Sequence, residues 1–268
     1  MVLFKAYFQN CHINNNLILL YANVTGRLNI ENTEINGNCD LGYIAANNST
    51  SSGNGQALKI SNSQIKGSLL LAEATLKGQT YIRDTTISNS LDCSFSILEN
   101  FSVKNVGQAF IIENSHVGHN FLLAYGFSAK GHVAANDLTV GHDLICNGGH
   151  FRGDVTFKNC RIKGTLSLDS KDDPVSKFEE QVSFINLTTT SYADDERSWP
   201  ENLTQRNFRY EKFTQSTNST AAKRLAWLET QPEHTSLANQ QLISTLTAMG
   251  KYSDAKTVAI DFSKKQYW

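Results

Sequence analysis

The sequence predicts an all-β fold: a parallel β-helix solenoid, which we expect to be right-handed, with a small α-helical cap at its C-terminal end. Two observations predict this architecture. A short repeat of alternating apolar and polar residues runs from the N-terminus to Leu168, and helix-type periodicity replaces it from Ala221 onward. Units this short cannot bury an apolar row alone, so they must stack as coils. We therefore assign residues 1–190 to the solenoid and residues 191–268 to an aromatic connector with a helical cap or hairpin.

The repeat has a period of about 11 residues and follows the template small–x–aliphatic–x–Gly/Asn–x–aliphatic–x–aliphatic. Clear copies begin at Ser63, Thr85 and Cys160. Alternation with a period of two is typical of a half-buried strand, and two units, about 22 residues, predict one coil of a parallel β-helix. The Gly or Asn in the middle of the unit is expected to supply a bend with positive φ.

The cysteines and one polar stretch fit the same template. The stretch from Asn47 to Gly55 predicts a loop inserted between turns. Because the cysteine count is odd and the spacing is wide, a disulfide framework is not expected. All five cysteines fall on inward positions of the template, which predicts small buried core residues. They are Cys11, Cys39, Cys93, Cys146 and Cys160.

Composition excludes two classes of protein. The chain carries 24 basic and 25 acidic residues, a formal net charge of -1, which argues against a nucleic-acid binder. No apolar run reaches the roughly 18 residues of a membrane span, and the first residues lack the basic start and apolar run of a signal peptide. We expect a cytoplasmic protein, or one at the cytoplasmic face of the inner membrane whose membrane contact lies in sequence outside this chain.

Three helices are predicted after the solenoid. The first covers Ala221 to Thr230, the second covers Ser236 to Met249 with Gly250 as its C-cap, and the third covers Tyr252 to Lys265. We expect an apolar stripe on the second helix, formed by Leu237, Leu242, Leu246 and Met249. The aromatic-rich segment before the first helix is expected to close the end of the solenoid, since an exposed coil edge templates aggregation.

The two parts together resemble a family of bacterial β-solenoid proteins often labelled "membrane-associated oxidoreductase", whose repeats are similar to pentapeptide and bactofilin repeats. The resemblance rests on the repeat, on Arg224-Leu225-x-Trp227-Leu228-x-x-Gln231 and on the helical hairpin from Gln241 to Lys265. It implies the soluble part of a membrane-tethered bacterial protein. The chain has no GxGxxG between a strand and a helix and no P-loop, so we predict no cofactor and no catalytic residues.

Two groups of side chains are candidate binding sites. His119 and His142 hold the same template position two units apart, so they are expected to stack on adjacent coils within reach of one metal ion. Asp143, Asp154 and His132 occupy a nearby template position and are candidate further ligands. Separately, Lys158, Arg161 and Lys163 are close in sequence and form a candidate anion-binding group.

These observations leave three hypotheses for the function. The first is a non-catalytic structural or protein-interaction scaffold, with a protein partner and self-association through the solenoid ends. The second is a β-helix that binds or processes a carbohydrate or small ligand on one outer face. The third is a protein-binding effector that acts through the helical hairpin. Converging carboxylates in a groove would favour the second, and regular Ser, Thr and Asn ladders would favour the first.

Overall fold

The computed structural model describes residues 2–49, 55–100, 107–169, 175–214, 220–229, 231 and 236–266. These residues form a parallel β-solenoid of about nine turns followed by three helices, which confirms the predicted fold. Most of the predicted loop between Asn47 and Gly55 lies outside the described residues. Adjacent strands pair residues such as Leu28 and Ala6, 22 positions apart, so two sequence units make one coil.

Each full turn contributes up to four short strands, which stack on those of neighbouring turns as ladders I to IV. Ladder I consists of Val2–Leu3, Asn23–Thr25, Ala45–Asn47, Thr75–Lys77, Ile97–Glu99, Ser128–Lys130, His150–Phe151 and Lys177–Phe178. Ladder II consists of Ala6–Gln9, Leu28–Glu31, Gln56–Ser61, Gln79–Arg83, Gln108–Glu113, His132–Asn136, Val155–Lys158, Val182–Ile185 and Leu203–Arg206.

Ladders III and IV lie in one sheet. Ladder III begins with His12–Ile13, Glu34–Ile35, Gln64–Ile65, Thr86–Ile87, His116–Val117 and Thr139–Val140. Ladder IV begins with Leu17–Ile18, Cys39–Asp40, Leu69–Leu70, Leu91–Asp92, Phe121–Leu122 and Leu144–Ile145. The two ladders merge into longer strands in the last turns: Arg161–Ser167, Thr188–Ala193 and Arg209–Phe213.

The core is a set of columns, each made of equivalent inward side chains from successive turns. One such column lies in ladder II. It holds, in register, Phe8, Ile30, Ile60, Ile82, Ile112, Ala135, Phe157, Phe184 and Gln205. Eight of these nine residues are apolar, and the exception, Gln205, is in the last turn. Four of the five cysteines are buried in such columns, while Cys11 is half-buried.

Positive φ occurs mainly at a position that the repeat template did not assign. At the corner between ladders II and III, every turn has Asn or Asp in the left-handed region, with φ between 48° and 57°. These residues are Asn10, Asn32, Asn62, Asp84, Asn114, Asp137, Asn159, Asn186 and Asn207. Asn and Asp tolerate this region best among non-glycine residues because their short side chains hydrogen-bond locally. Here Asn186 Nδ2 donates to Asn159 Oδ1 at 2.9 Å, and the equivalent bond joins Asn207 to Asn186 at 3.2 Å.

The prediction that the mid-unit glycines supply a positive φ is correct at only some of these positions. Gly26, Gly78 and Gly131, between ladders I and II, do have positive φ. Gly37 and Gly164, between ladders III and IV, do not; a Cβ there would lie 2.1 Å and 2.3 Å from a side-chain oxygen of the preceding turn. At these two positions the reason for glycine is the close approach of the preceding coil and not its backbone freedom.

A ladder of side-chain acceptors runs along the corner between ladders III and IV. Asn16 Oδ1 accepts from the Asn38 backbone N–H at 2.7 Å, and Asn38 Oδ1 accepts from the Ser68 N–H at 2.8 Å. The series continues through Ser68, Ser90, Asn120 and Asp143 to the Thr165 N–H. The polar side chains of this corner thus satisfy the backbone of the next turn.

The C-terminal helices lie within one or two residues of their predicted bounds. A 3₁₀ turn, Glu196–Ser198, precedes them, and the helices are α1 (Ala221–Glu229), α2 (Ser236–Ala248) and α3 (Tyr252–Gln266). In α2, Leu242 and Leu246 are buried as expected, but Leu237 is 57% exposed. Paired strands continue past the expected boundary at residue 190 and end at Phe213. The repeat template did not identify the last turn, because aromatic residues occupy positions that hold small and aliphatic residues in earlier turns.

A buried ion pair fastens α1 to the solenoid. The Arg224 guanidinium donates from Nη1 and Nη2 to the two carboxylate oxygens of Asp194, at 2.9 Å and 2.6 Å, and the side chains are 1% and 0% exposed. Trp199 Nε1 also donates to Asp194, at 2.9 Å. The guanidinium carbon lies 3.8 Å from the centroid of the Phe213 ring. The positive charge of Arg224 is therefore neutralised by Asp194, and the guanidinium is in contact with aromatic rings.

Candidate interaction surface

The corner between ladders IV and I carries large aromatic side chains at backbone positions that favour glycine. Each of six successive turns closes here with a β-turn, for example from the Ala22 N–H to the Leu19 carbonyl at 3.2 Å. Tyr21, Tyr43 and Phe95 hold the third position of their turns in the left-handed region, with φ of 56°, 54° and 58°. Tyr125 is also left-handed, at 52°, followed by Gly126. We call Tyr21, Tyr43, Phe95 and Tyr125 the aromatic corner.

The four rings are exposed and partly stacked. Their exposed fractions are 66% for Tyr21, 43% for Tyr43, 56% for Phe95 and 49% for Tyr125. The centroids of Tyr21 and Tyr43 lie 4.6 Å apart with an interplanar angle of 20°, and those of Phe95 and Tyr125 lie 6.4 Å apart. Within each pair the rings contact each other on one side, and a large part of every ring remains exposed to solvent.

Glu73 occupies the turn between the two aromatic pairs. It has the same left-handed backbone, with φ of 58°, and its Oε1 accepts from the Tyr43 hydroxyl at 2.7 Å. This hydrogen bond to the carboxylate is the main reason that the pKa of Tyr43 is raised. The corner thus offers four aromatic rings, three tyrosine hydroxyl groups, of which that of Tyr43 donates to Glu73, and the Glu73 carboxylate.

An aliphatic column borders the aromatic corner on the outer side of ladder IV. It consists of Ile18, Leu70, Leu122 and Ile145, of which Ile18 is exposed and the others are half-buried. Asp40 and Asp92 interrupt the column in register, but each carboxylate accepts from a backbone N–H of its own turn, from Gly42 at 3.1 Å and from Ser94 at 2.8 Å. The outer side of ladder IV is therefore aliphatic except at these two carboxylates, which are held by backbone hydrogen bonds.

The histidine pair lies where the sequence placed it, on adjacent coils. The rings of His119 and His142 stack at a centroid distance of 5.0 Å and an interplanar angle of 6°. Nitrogen lone pairs lie in the ring plane, so in parallel stacked rings they run side by side and do not converge on one ion. His142 Nδ1 lies 3.0 Å from both Asn120 Oδ1 and Asp143 Oδ2. The metal site stays a prediction from the sequence.

The candidate further ligands are divided between two corners. Asp143 lies beside His142, whereas His132 Nδ1 lies 3.4 Å from Asp154 Oδ2 at the corner between ladders I and II. Across the described residues, no group of three or more His, Cys, Asp or Glu side chains is arranged to hold a metal ion.

The basic group straddles the corner between ladders II and III in one turn. Lys158 ends a ladder II strand, and Arg161 and Lys163 follow on the adjoining ladder III strand, all three exposed. None of them forms an ion pair with a described residue. The structure thus brings the three side chains to one corner of the solenoid, and the anion site stays a prediction.

The cysteines have the chemistry of core residues. Burial raises the pKa of Cys146 to about 12 and that of Cys160 to about 11. It also raises the pKa of Cys39 and of Cys93. A buried thiol with such a pKa is protonated at neutral pH and is therefore a poor nucleophile.

The aromatic corner was missed in the sequence, although a signal for it was present. An exposed aromatic residue stands directly before the small or aliphatic first residue of alternate units, as in Tyr21-Ala22, Tyr43-Ile44 and Phe95-Ser96. The template treated this position as a free outward residue. Only the coil geometry shows that these positions share one corner.

Comparison of the chain with protein-family models, curated proteins and solved structures finds no match in any of the three. The resemblance to the bacterial solenoid family stays an interpretation of the motifs around Trp227. None of the helices in the described part of the chain is long and apolar enough to cross a membrane.

Proposed function

We propose that the protein is a non-catalytic scaffold that binds a protein partner through the aromatic corner. The observation that carries the proposal is the presence of exposed aromatic side chains where the backbone is left-handed. A left-handed residue with a Cβ is destabilised by about 1–2 kcal/mol, most of which glycine avoids. Stacking offsets only part of this, so the rings are better explained by a contact outside the fold.

The comparison with the opposite corner strengthens this argument. All nine left-handed residues between ladders II and III are Asn or Asp, the types that stability alone favours. In the part of the chain that the structure describes, Tyr and Phe in the same conformation occur at the corner between ladders IV and I. Aromatic residues are enriched in protein–protein interfaces, where one ring buries a large area with little loss of side-chain entropy.

A polypeptide fits this surface better than a carbohydrate does. Sugar rings stack on aromatic faces, and here the stacking of Tyr21 on Tyr43 removes one face of each ring from such a contact. The neighbouring Asp40 and Asp92 carboxylates bind backbone N–H groups and do not converge in a groove. The regular Asn and Ser ladders at the other corners agree with a scaffold.

The scaffold is placed in the cytoplasm as part of this proposal. The five cysteines are free thiols, a state that reducing compartments maintain. Tethering at the inner membrane would require sequence outside this chain.

Site-specific photo-crosslinking tests the proposal. A benzoylphenylalanine introduced at Phe95 in the natural host is expected to crosslink one defined protein. The matched control carries it at Thr86, an exposed position on ladder III. A Phe95 crosslink to the same protein that is lost with Tyr43→Asn would support the aromatic corner. Equal crosslinking from both positions, or crosslinking only to polysaccharide, would contradict it.

A further inference from the structure

The last strand of ladder II has a strand on one side only among the described residues, and it lies beside a small cleft. Leu203–Arg206 is the final strand of ladder II and, among the described residues, pairs only with Val182–Ile185. The final strand of ladder III, in contrast, accepts hydrogen bonds from helix α2. Gln241 Nε2 and Thr245 Oγ1, both on α2, donate to the Tyr210 carbonyl at 2.7 Å and 3.1 Å. Helix α2 thus donates hydrogen bonds to a backbone carbonyl of ladder III. It also lies close to the last strand of ladder II, which has no further strand beside it among the described residues.

The cleft between this edge and α2 has a volume of about 250 Å³. Its lining includes Gln205, Phe208, Arg209, Leu237, Gln241 and Ser244. Pockets that enclose small-molecule ligands are larger, about 300–1,000 Å³. The cleft is therefore of a size for one anchoring side chain and not for a whole ligand. We call it the cap cleft.

Gln205 provides an independent indication that something binds there. It occupies the core position that holds an apolar residue in the other eight turns, and it is in register with Phe184. The side chain is only 4% exposed, yet its Nε2 has no hydrogen-bond partner. A buried amide donor without an acceptor is unfavourable for the fold alone. A peptide carbonyl is the acceptor that an added strand would bring.

The other lining residues specify the chemistry of the occupant. Leu237 is a large apolar side chain left 57% exposed at the mouth of the cleft. Arg209 is the only charged residue among the described lining residues, and it is exposed. An apolar side chain and a carboxylate on one extended segment complement these two residues.

We propose that the cap cleft binds an extended segment of a partner polypeptide, which pairs with Leu203–Arg206 as an additional strand of ladder II. One apolar side chain of the segment packs against Leu237 and Phe208, a backbone carbonyl accepts from Gln205, and a carboxylate faces Arg209. Addition of a strand to an open sheet edge is an established mode of peptide recognition. The inference rests on the proposed function in taking a polypeptide as the partner, but it uses a surface distinct from the aromatic corner.

Selection from a phage library of unconstrained twelve-residue peptides on the full chain tests this. Selected peptides are expected to combine alternating apolar residues with an acidic residue. Labelled copies should bind the Gln205→Leu variant about tenfold more weakly, since one buried hydrogen bond is lost. Leu at this position matches the apolar core of the other turns, so the variant keeps the fold. Leu237→Ser, at an exposed position, is the second variant and should also weaken binding.

Hydrogen exchange distinguishes strand addition from other binding. Bound peptide should protect the backbone amides of residues 203–206. Failure to enrich any peptide, equal affinity for Gln205→Leu and Leu237→Ser, or protection elsewhere would overturn the inference. Binding should be unchanged in Phe95→Asn, which alters only the aromatic corner. If benzoylphenylalanine at Phe95 of the otherwise unaltered chain crosslinks no protein while peptide binding is intact, the proposed function alone is rejected. If the Phe95 crosslink forms but no peptide binds at the cleft, the cap cleft alone is rejected.

Discussion

Single residues at the corners determine how each coil turns, and their identities separate structural from functional roles. Asn186 exemplifies the structural kind: its φ is 51°, and its side chain bridges the equivalent Asn residues of both neighbouring turns. Phe95 exemplifies the other kind, with φ of 58° and a ring that is mostly exposed. The left-handed conformation is thus occupied by polar Asn or Asp at the corner between ladders II and III and by exposed aromatic residues at the corner between ladders IV and I.

Replacing Asn186 separates the backbone contribution from the side-chain contribution. Asn186→Ala should lower the free energy of unfolding by about 1–2 kcal/mol, because alanine is strained in the left-handed region. Asn186→Gly removes the same hydrogen bonds without the strain and should lower it by less than half as much. Urea unfolding followed by circular dichroism measures both. Equal losses would show that the side-chain ladder, and not the backbone, accounts for the asparagine.

Phe95→Asn should leave stability nearly unchanged, within about 1 kcal/mol, because relief of backbone strain offsets the lost ring contact. Thermal unfolding compared with the buried control Phe121→Ala checks this; the control should lose about 3–5 kcal/mol. If Phe95→Asn destabilised the chain as strongly as the control, the exposed ring would be part of the fold, and the main argument for the aromatic corner would fail.

At the scale of elements, the sequence predicted what its periodicity encodes. The strands and α1 to α3 were predictable because alternation and helical spacing are local signals. The last turn was not, since Phe208, Tyr210 and Phe213 fill positions that hold smaller residues in earlier turns. The left-handed corners were also missed, because they fall at the joints between units and not at the mid-unit glycine.

The candidate sites likewise fall into those that the repeat predicts and those that it does not. The stacking of His119 on His142 followed from the repeat, since equivalent positions two units apart must be adjacent. The cap cleft and the Arg224–Asp194 pair join segments 30 or more residues apart that belong to no repeat. Their geometry depends on how α1 and α2 dock on the last turn, and no local pattern records that.

Thiol accessibility tests the core columns. Ellman's reagent at pH 8 should modify only Cys11 in the native protein, because burial raises the pKa of Cys146 to about 12 and that of Cys160 to about 11. Cys11, half-buried in the first turn, is the exception. All five should react in denaturant. Rapid modification of two or more thiols in the native chain would mean that the columns open on the timescale of labelling.

The junction between α1 and the solenoid depends on a complete ion pair. Asp194→Asn or Arg224→Met should destabilise the cap by about 3–5 kcal/mol, because each leaves one buried group without its charged partner. Changing both to apolar residues should restore part of the loss. Lys265→Met, which removes exposed pairs with Glu229 and Asp261, is the control and should cost less than about 1 kcal/mol. Fluorescence of the buried Trp227 during urea unfolding reports on the cap; no difference between single and double variants would contradict the expected coupling.

At the scale of the whole molecule, the solenoid is a stack of nearly equivalent turns whose stability comes from contacts between neighbours. Such a stack requires its ends to be covered, because an uncovered turn offers backbone groups and core side chains to another chain. The C-terminal helices provide that cover on ladder III, where α2 side chains bind the Tyr210 carbonyl and Met249 contacts the Phe213 backbone.

Truncation after Thr214 should therefore increase self-association of the chain. Removing α1 to α3 uncovers the edge of ladder III together with Tyr192, Tyr210 and Phe213, which are buried in the full chain. Light scattering after size exclusion should show oligomers whose size rises with concentration, whereas the full chain at the same concentration should not change. A truncated chain that also carries Tyr210→Lys should associate less, since charge on an edge strand opposes pairing. A truncated chain with an unchanged mass and melting temperature would mean that the helices are not a cap, and their role would then be confined to binding.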